Sequence, residues 1–171
     1  MEKRRVVITG MGAVTPIGNS VAETWAAAKA GKSGVALITH FDASTFKAQY
    51  AGEVKNFDAT KYMNPEAARK MARFSQYAVA AAKMALDDAS IEANSDVIKD
   101  AAIFMGVGIG GFEVNEECCI KYSQSPQHRL PPMTIPELIP NEACGNISMA
   151  FGIHGPAHTV TTACASGSDA I

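Results

Sequence analysis

The chain has 171 residues, 47% apolar and 19% charged, a balance that suits one folded domain of ordinary size and excludes a disordered polypeptide. A formal net charge of −2 supplies no general attraction to nucleic acid or to an anionic membrane, so neither is expected as a partner. No apolar run is long enough to span a bilayer, and the basic start at residues 1–5 precedes too short an apolar stretch for a signal-peptide core, so a cytoplasmic location is expected.

In chain order, Arg5-Val6-Val7-Ile8-Thr9 is a β-branched run stopped by Gly10, which predicts a buried strand. Residues 10–18 form a glycine-rich loop. Ser20-Val21-Ala22-Glu23 is a capping-box pattern opening a helix that Gly31 ends. Short strands are predicted at residues 35–38 and 49–54 within a mixed region (residues 32–60), and residues 42–62, with scattered aromatics and charges, read as a surface excursion. Asn64-Pro65-Glu66 supplies a helix cap, a proline at the first helical position and an acid in the first turn. It predicts one long helix whose apolar face carries Met71, Phe74, Ala78, Ala81 and Ala85, fading near Asp88. The alanines on that face imply close packing against another element.

A second buried strand is predicted at residues 101–105, then a glycine-rich loop at 106–111 and a helix from Phe112 to Ser125. Pro131, Pro132, Pro136 and Pro140 punctuate a loop with room for a short helix at most. Residues 141–151 read as a helix despite Gly145, Gly155-Pro156 as a turn, and the segment after it as a strand. Strands alternating with helices give an α/β chain with a substantially parallel sheet.

Neither glycine-rich loop fits a dinucleotide fingerprint. After Gly10-Met11-Gly12 the position of the third glycine holds Thr15-Pro16, and Gly106 to Gly111 lacks both the last spacing and a following ribose-binding acid. Tight turns and close backbone approach are the reading for both.

Four cysteines are present, and none forms a C-x-x-C pair. Cys118, Cys119 and Cys144 read as small buried hydrophobes. Cys164 differs in its setting. Thr159-Val160-Thr161-Thr162 reads as a strand running into a tight turn, and Ser168 to Ile171 as the first turn of a helix. A thiol between a strand end and a helix start suits a nucleophile, because the thiolate is favoured at the positive end of a helix. The small residues Ala163, Ala165, Ser166 and Gly167 leave space for an extended substrate and expose the Cys164 N–H as an oxyanion donor. The turn alone leaves packing and catalysis both open.

The block Thr162-Ala163-Cys164-Ala165-Ser166-Gly167 resembles the active-site cysteine motif of elongating, type II β-ketoacyl-[acyl-carrier-protein] synthases. The resemblance runs through the whole chain. Residues 4–18 are similar to the family's opening strand and loop. Residues 28–34 and 41–44, Arg69-Lys70-Met71, residues 108–111, Asn141 with Gly145, and Gly155-Pro156 follow in family order.

This resemblance implies an α/β thiolase-like fold, of which residues 1–171 are the N-terminal half of a two-half mixed or parallel sheet with helices packed on it. It implies an acyltransferase of fatty acid biosynthesis, working as a homodimer with acyl carrier protein in its acyl and malonyl forms, and without metal or cofactor. Cys164 would accept the acyl group, and the remaining catalytic groups would lie in the other half, so that these 171 residues alone are expected to be inactive. Ile109 aligns with a residue gating the acyl pocket. Met133 and Thr134 stand where many members carry two aromatics, a departure that leaves acyl length open. Arg69 and Lys70 align with residues that contact the carrier protein, and Arg73 extends their basic patch. Glu142 and Cys144 depart from the family's small or apolar residues, and Glu142 needs solvent or a partner if it faces inward. His154 and His158, in a turn and at a strand start, take no catalytic role, and His40 and His128 read as loop residues. A non-catalytic ketosynthase partner, a nucleotide-binding protein and a thiolase proper are the competing readings. The cysteine, the broken glycine fingerprints and the local sequence around Cys164 argue against them in turn.

Overall fold

A computed structural model describes residues 4–171. They divide into two compact units, residues 4–58 with Ala80–Ala89, and Ala59–Val79 with Ser90–Ile171.

In the first unit, helix α1 (Val21–Lys29) begins as its sequence predicts. Ser20 Oγ accepts from Glu23 N at 3.2 Å. The Glu23 carboxylate turns back one residue further than in a simple capping box and accepts from Asn19 N at 2.8 Å. Beyond the helix, Gly31 takes φ +65°, the left-handed geometry that glycine adopts without steric cost. Strands β1 (Val35–Leu37) and β2 (Tyr50–Gly52) form an antiparallel pair in the register Ala36↔Ala51. The surface excursion is less loose than its composition implies. The buried Glu53 carboxylate accepts from Thr39 N, Thr39 Oγ1 and His40 N at 2.7–3.2 Å, tying the segments after both strands together.

The opening strand predicted at residues 5–9 does not form. Residues 4–13 have no strand assignment, and Val6 and Ile8 are 93% and 83% exposed. A β-branched run becomes a strand only beside a hydrogen-bonding neighbour, and among the described residues none pairs with it. The loop that follows lies on helical backbone instead. A methyl group added to Gly12 would lie 1.9 Å from Ala81 O, and Met11 N donates to Asp88 Oδ2 at 2.9 Å. The alanine face and the glycine loop are therefore complementary halves of one close approach.

The long helix predicted from Asn64 is two helices, α2 (Pro65–Ala68) and α3 (Arg73–Asp88). Asn64 caps the first as expected, with Oδ1 accepting from Glu66 N at 2.7 Å. Between them the Gln76 side-chain amide donates to Ala68 O and Met71 O at 2.8 and 3.0 Å, satisfying carbonyls that a continuous helix would have used.

The second unit holds strand β3 (Ile103–Gly106), α4 (Phe112–Gln124), α5 (Thr134–Leu138), α6 (Glu142–Phe151) and β4 (Ala157–Val160). The last short helix is α7 (Ser166–Asp169). Strands β3 and β4 pair in parallel, Phe104↔His158 and Gly106↔Val160. The described strands thus form two separate two-stranded sheets, one antiparallel and one parallel. Pro136 falls in the first turn of α5, where its missing N–H has no helical partner to lose. Gly152, at φ +67°, ends α6. Ala143, Cys144, Ile147 and Phe151 of that helix are buried, with Val79, Ile103 and Ile153 among the unit's other core residues.

One side-chain expectation changes here. Cys119 is exposed, not buried: neighbours on a helix point about 100° apart, so Cys118 takes the core and Cys119 the solvent. Glu142 is half-buried in the first turn of α6, where the helix dipole favours a carboxylate.

Candidate active site at the carboxyl ends of the parallel strands

Because β3 and β4 are parallel, the loops after Gly106 and Val160 emerge at the same edge, the position where α/β proteins commonly bind ligands. Val107 N donates to Val160 O at 3.0 Å, extending the pairing into both loops. The predicted residues Ile109 and Cys164 lie on these two loops. A methyl group added to Gly108 would stand 3.9 Å from Ala163 O, so the Ile109 loop lies against the cysteine turn.

The turn is more constrained than strand followed by helix. Residues 163–165 make a single 3-10 turn, and Cys164 is exposed at its centre. Ala163, immediately before it, takes φ +51°, a left-handed conformation uncommon for a residue with a side chain. The helical segment that follows is only Ser166–Asp169, so the dipole argument rests on about one turn of helix.

Beside this edge is a cavity of about 240 Å³ lined by Phe74, Ala78, Met105, Val107, Ile109 and Ala143 with Gly106, Gly108 and Gly110. No ionisable side chain contributes to that lining, which suits an apolar ligand. Ile109 is 69% exposed on the cavity rim. A larger cavity of about 320 Å³ in the first unit is lined by polar and charged groups, including Glu23, Lys32 and Lys55, and none of the predicted site residues.

Met133 and Thr134 do not line the apolar cavity. Met133 precedes α5, and the buried Thr134 hydroxyl donates to Pro131 O at 2.8 Å and meets Cys118 Sγ at 3.3 Å. Their helix nevertheless reaches the Ile109 loop, where Gly111 N donates to Leu138 O at 3.0 Å. Arg69 and Lys70 are exposed in the break between α2 and α3, outside the cavity. Arg73 N donates to Glu113 Oε1 at 3.1 Å. Burial pushes the neighbouring Tyr77 phenol above its ordinary range. Cys144 is occupied structurally, its thiol 3.4 Å from His158 O and 3.2 Å from Thr159 Oγ1. His154 is exposed in the turn before β4, and the His158 ring stacks on Phe104 with centroids 5.4 Å apart. Among the described residues no three His, Cys, Asp or Glu side chains gather as a metal site.

Sequence reasoning named Ser166 only for its small size. The structure buries it at 2% exposure and directs its hydroxyl into the cysteine turn. The four-residue interval between Thr162 and Ser166 carries this signal, but only once the turn geometry is known.

A family model described as Beta-ketoacyl synthase, N-terminal domain, matches residues 3–171. The chain is 41% identical over 167 residues to 3-oxoacyl-[acyl-carrier-protein] synthase 2 of Vibrio harveyi, covering 98% of this chain and 40% of that protein. Among solved structures, the ishigamide ketosynthase/chain length factor superposes with a TM-score of 0.82 at 31% identity, over 94% of this chain and 40% of that one. A type II polyketide ketosynthase solved in complex with its acyl-carrier protein gives a TM-score of 0.75 at 25% identity, over 99% and 46%. The chain therefore spans about two fifths of the length of the relatives it matches. The predicted α/β, thiolase-like architecture agrees with these structures, and the chain belongs to the β-ketoacyl synthase family, matching its N-terminal domain.

Proposed function

We propose that the protein carrying this chain is an elongating β-ketoacyl-[acyl-carrier-protein] synthase of fatty acid biosynthesis, with Cys164 as its acyl acceptor. The observation that carries this reading is the exposed Cys164 on its constrained turn, beside an apolar cavity at the same edge of the sheet. The Cys164 thiolate attacks the carbonyl of an acyl carrier thioester, the Cys164 N–H meets the developing oxyanion, and the carbon–sulfur bond to the carrier breaks to release the carrier thiolate, which takes a proton from water. Malonyl carrier thioester then loses carbon dioxide. The electron pair left on its α-carbon attacks the Cys164 thioester, forming the new carbon–carbon bond and releasing the cysteine thiolate. The product is a 3-oxoacyl carrier thioester two carbons longer than the acyl group.

In this reading Ile109 gates the acyl cavity, and Met133 and Thr134 influence acyl length through α5 and its bond to the Ile109 loop. Arg69 and Lys70, exposed and basic, dock the acidic carrier protein, with charge serving encounter and orientation. The protein acts as a cytoplasmic homodimer, residues 1–171 form the N-terminal half of its catalytic fold, and they do not condense substrates by themselves. A non-catalytic partner role is the second reading, favoured by the likeness to a ketosynthase/chain length factor. Its weakness is that such a partner needs no cysteine at this turn. Full-length protein incubated with acyl and malonyl carrier thioesters is expected to release carbon dioxide and form the 3-oxoacyl product, and Cys164→Ala to abolish product formation. Absence of product from the native protein overturns the reading in favour of the non-catalytic one.

A further inference from the structure

Accepting Cys164 as the acyl acceptor, we propose that Ser166 is a positioning residue whose hydroxyl fixes the turn presenting the thiol. Its oxygen accepts from Thr162 N–H at 2.8 Å, and its proton goes to Ala163 O at 2.7 Å. Val107 O, at 3.3 Å, is a second acceptor within reach. One hydroxyl thus links the two residues immediately before Cys164 to each other and to the loop after β3. These are the contacts that an otherwise unfavourable φ of +51° at Ala163 requires if it is to persist.

The surrounding backbone fits this role. A methyl group on Gly106 would lie 2.1 Å from Ser166 O, so the end of β3 abuts the residue itself and leaves it little freedom to shift. A second strut crosses the outside of the turn, where Thr162 Oγ1 donates to Asp169 Oδ2 at 2.6 Å. Ser166 therefore holds the turn from inside, and Asp169 from the solvent side. Attack on a thioester depends on the direction of the Cys164 sulfur and N–H relative to the carbonyl. A displacement of about 1 Å can cost on the order of 100-fold in rate without altering how substrate docks.

The test uses full-length protein and an acyl carrier thioester, with acylation of the Cys164 peptide followed by mass spectrometry. Ser166→Ala is expected to lower the saturating acylation rate by roughly 10- to 100-fold with KM unchanged, and Ser166→Thr, which keeps a hydroxyl, to stay near the native rate. Ser166→Cys, similar in shape but a poor hydrogen-bonding partner, is expected to be slow and serves if the alanine variant fails to fold. Native rates in Ser166→Ala or Ser166→Cys overturn the proposal, as does a threonine variant as slow as alanine or a loss confined to KM. Cys164→Ala separates the two levels. Acylation persisting in that variant overturns the nucleophile assignment and this proposal with it. A dead Cys164→Ala beside a fully active Ser166→Ala overturns the positioning role alone.

Discussion

Glu53 illustrates how one carboxylate organises a segment that composition marks as loose. Its oxygens are filled by the Thr39 hydroxyl, the Thr39 amide and the His40 amide, and the His40 ring nitrogen stands 3.9 Å away. The Thr39 hydroxyl is the largest influence holding the carboxyl below its ordinary value of 4.5, with the Thr39 and His40 amides and the His40 charge adding to it against burial. A group that ionises more easily folded than unfolded stabilises the fold above its unfolded pKa and loses that contribution as pH falls through the lowered value. Denaturant titrations should show native stability declining from about pH 4.5 downward, and Glu53→Gln should remove part of that decline. Superimposable pH profiles for the two proteins would contradict the clasp. The same scale holds the constraint at Cys164, where Ala163 takes an unfavourable backbone angle directly before the exposed thiol.

Between elements, the contacts that matter are backbone to backbone. Gly106 ends β3 where the chain meets Ser166 O, and there is no space for a Cβ. Gly106→Ala is expected to cost about 1–3 kcal/mol by urea denaturation, with the strain falling on the cysteine turn. An unchanged midpoint would show that the approach is not as close as described. Local pattern carried much at this level. Ser20 with Glu23, Asn64 with Pro65, and the Phe112 start of α4 are all legible because caps and helix starts are decided within a few residues. The break between α2 and α3 is not legible, because it depends on Gln76 reaching back to Ala68 and on Glu113 meeting Arg73 N from 40 residues away. Residues 5–9 have strand-forming side chains, but propensity cannot supply the neighbouring strand. The proposed site residues Cys164 and Ile109 are legible only through resemblance to a family's motifs, whereas the contacts of Ser166 depend on the fold of the turn.

For the molecule as a whole, two features bear on how the chain works. Its parallel strands bring the Ile109 and Cys164 loops to one edge beside an apolar cavity, while Val6 and Ile8, among its most exposed apolar residues, lie outside any described sheet. No helix among the described residues is long and apolar enough to cross a membrane. The chain spans 40% of the length of the Vibrio harveyi relative, with 98% of its own residues matched. The central proposal is that acyl transfer goes through Cys164. Its most direct measurement is peptide-mapped mass spectrometry of the full-length protein after incubation with an acyl carrier thioester. One acyl group on the Cys164 peptide, absent in Cys164→Ala, is the predicted result; an acyl group on another residue, or labelling that survives the substitution, would contradict it.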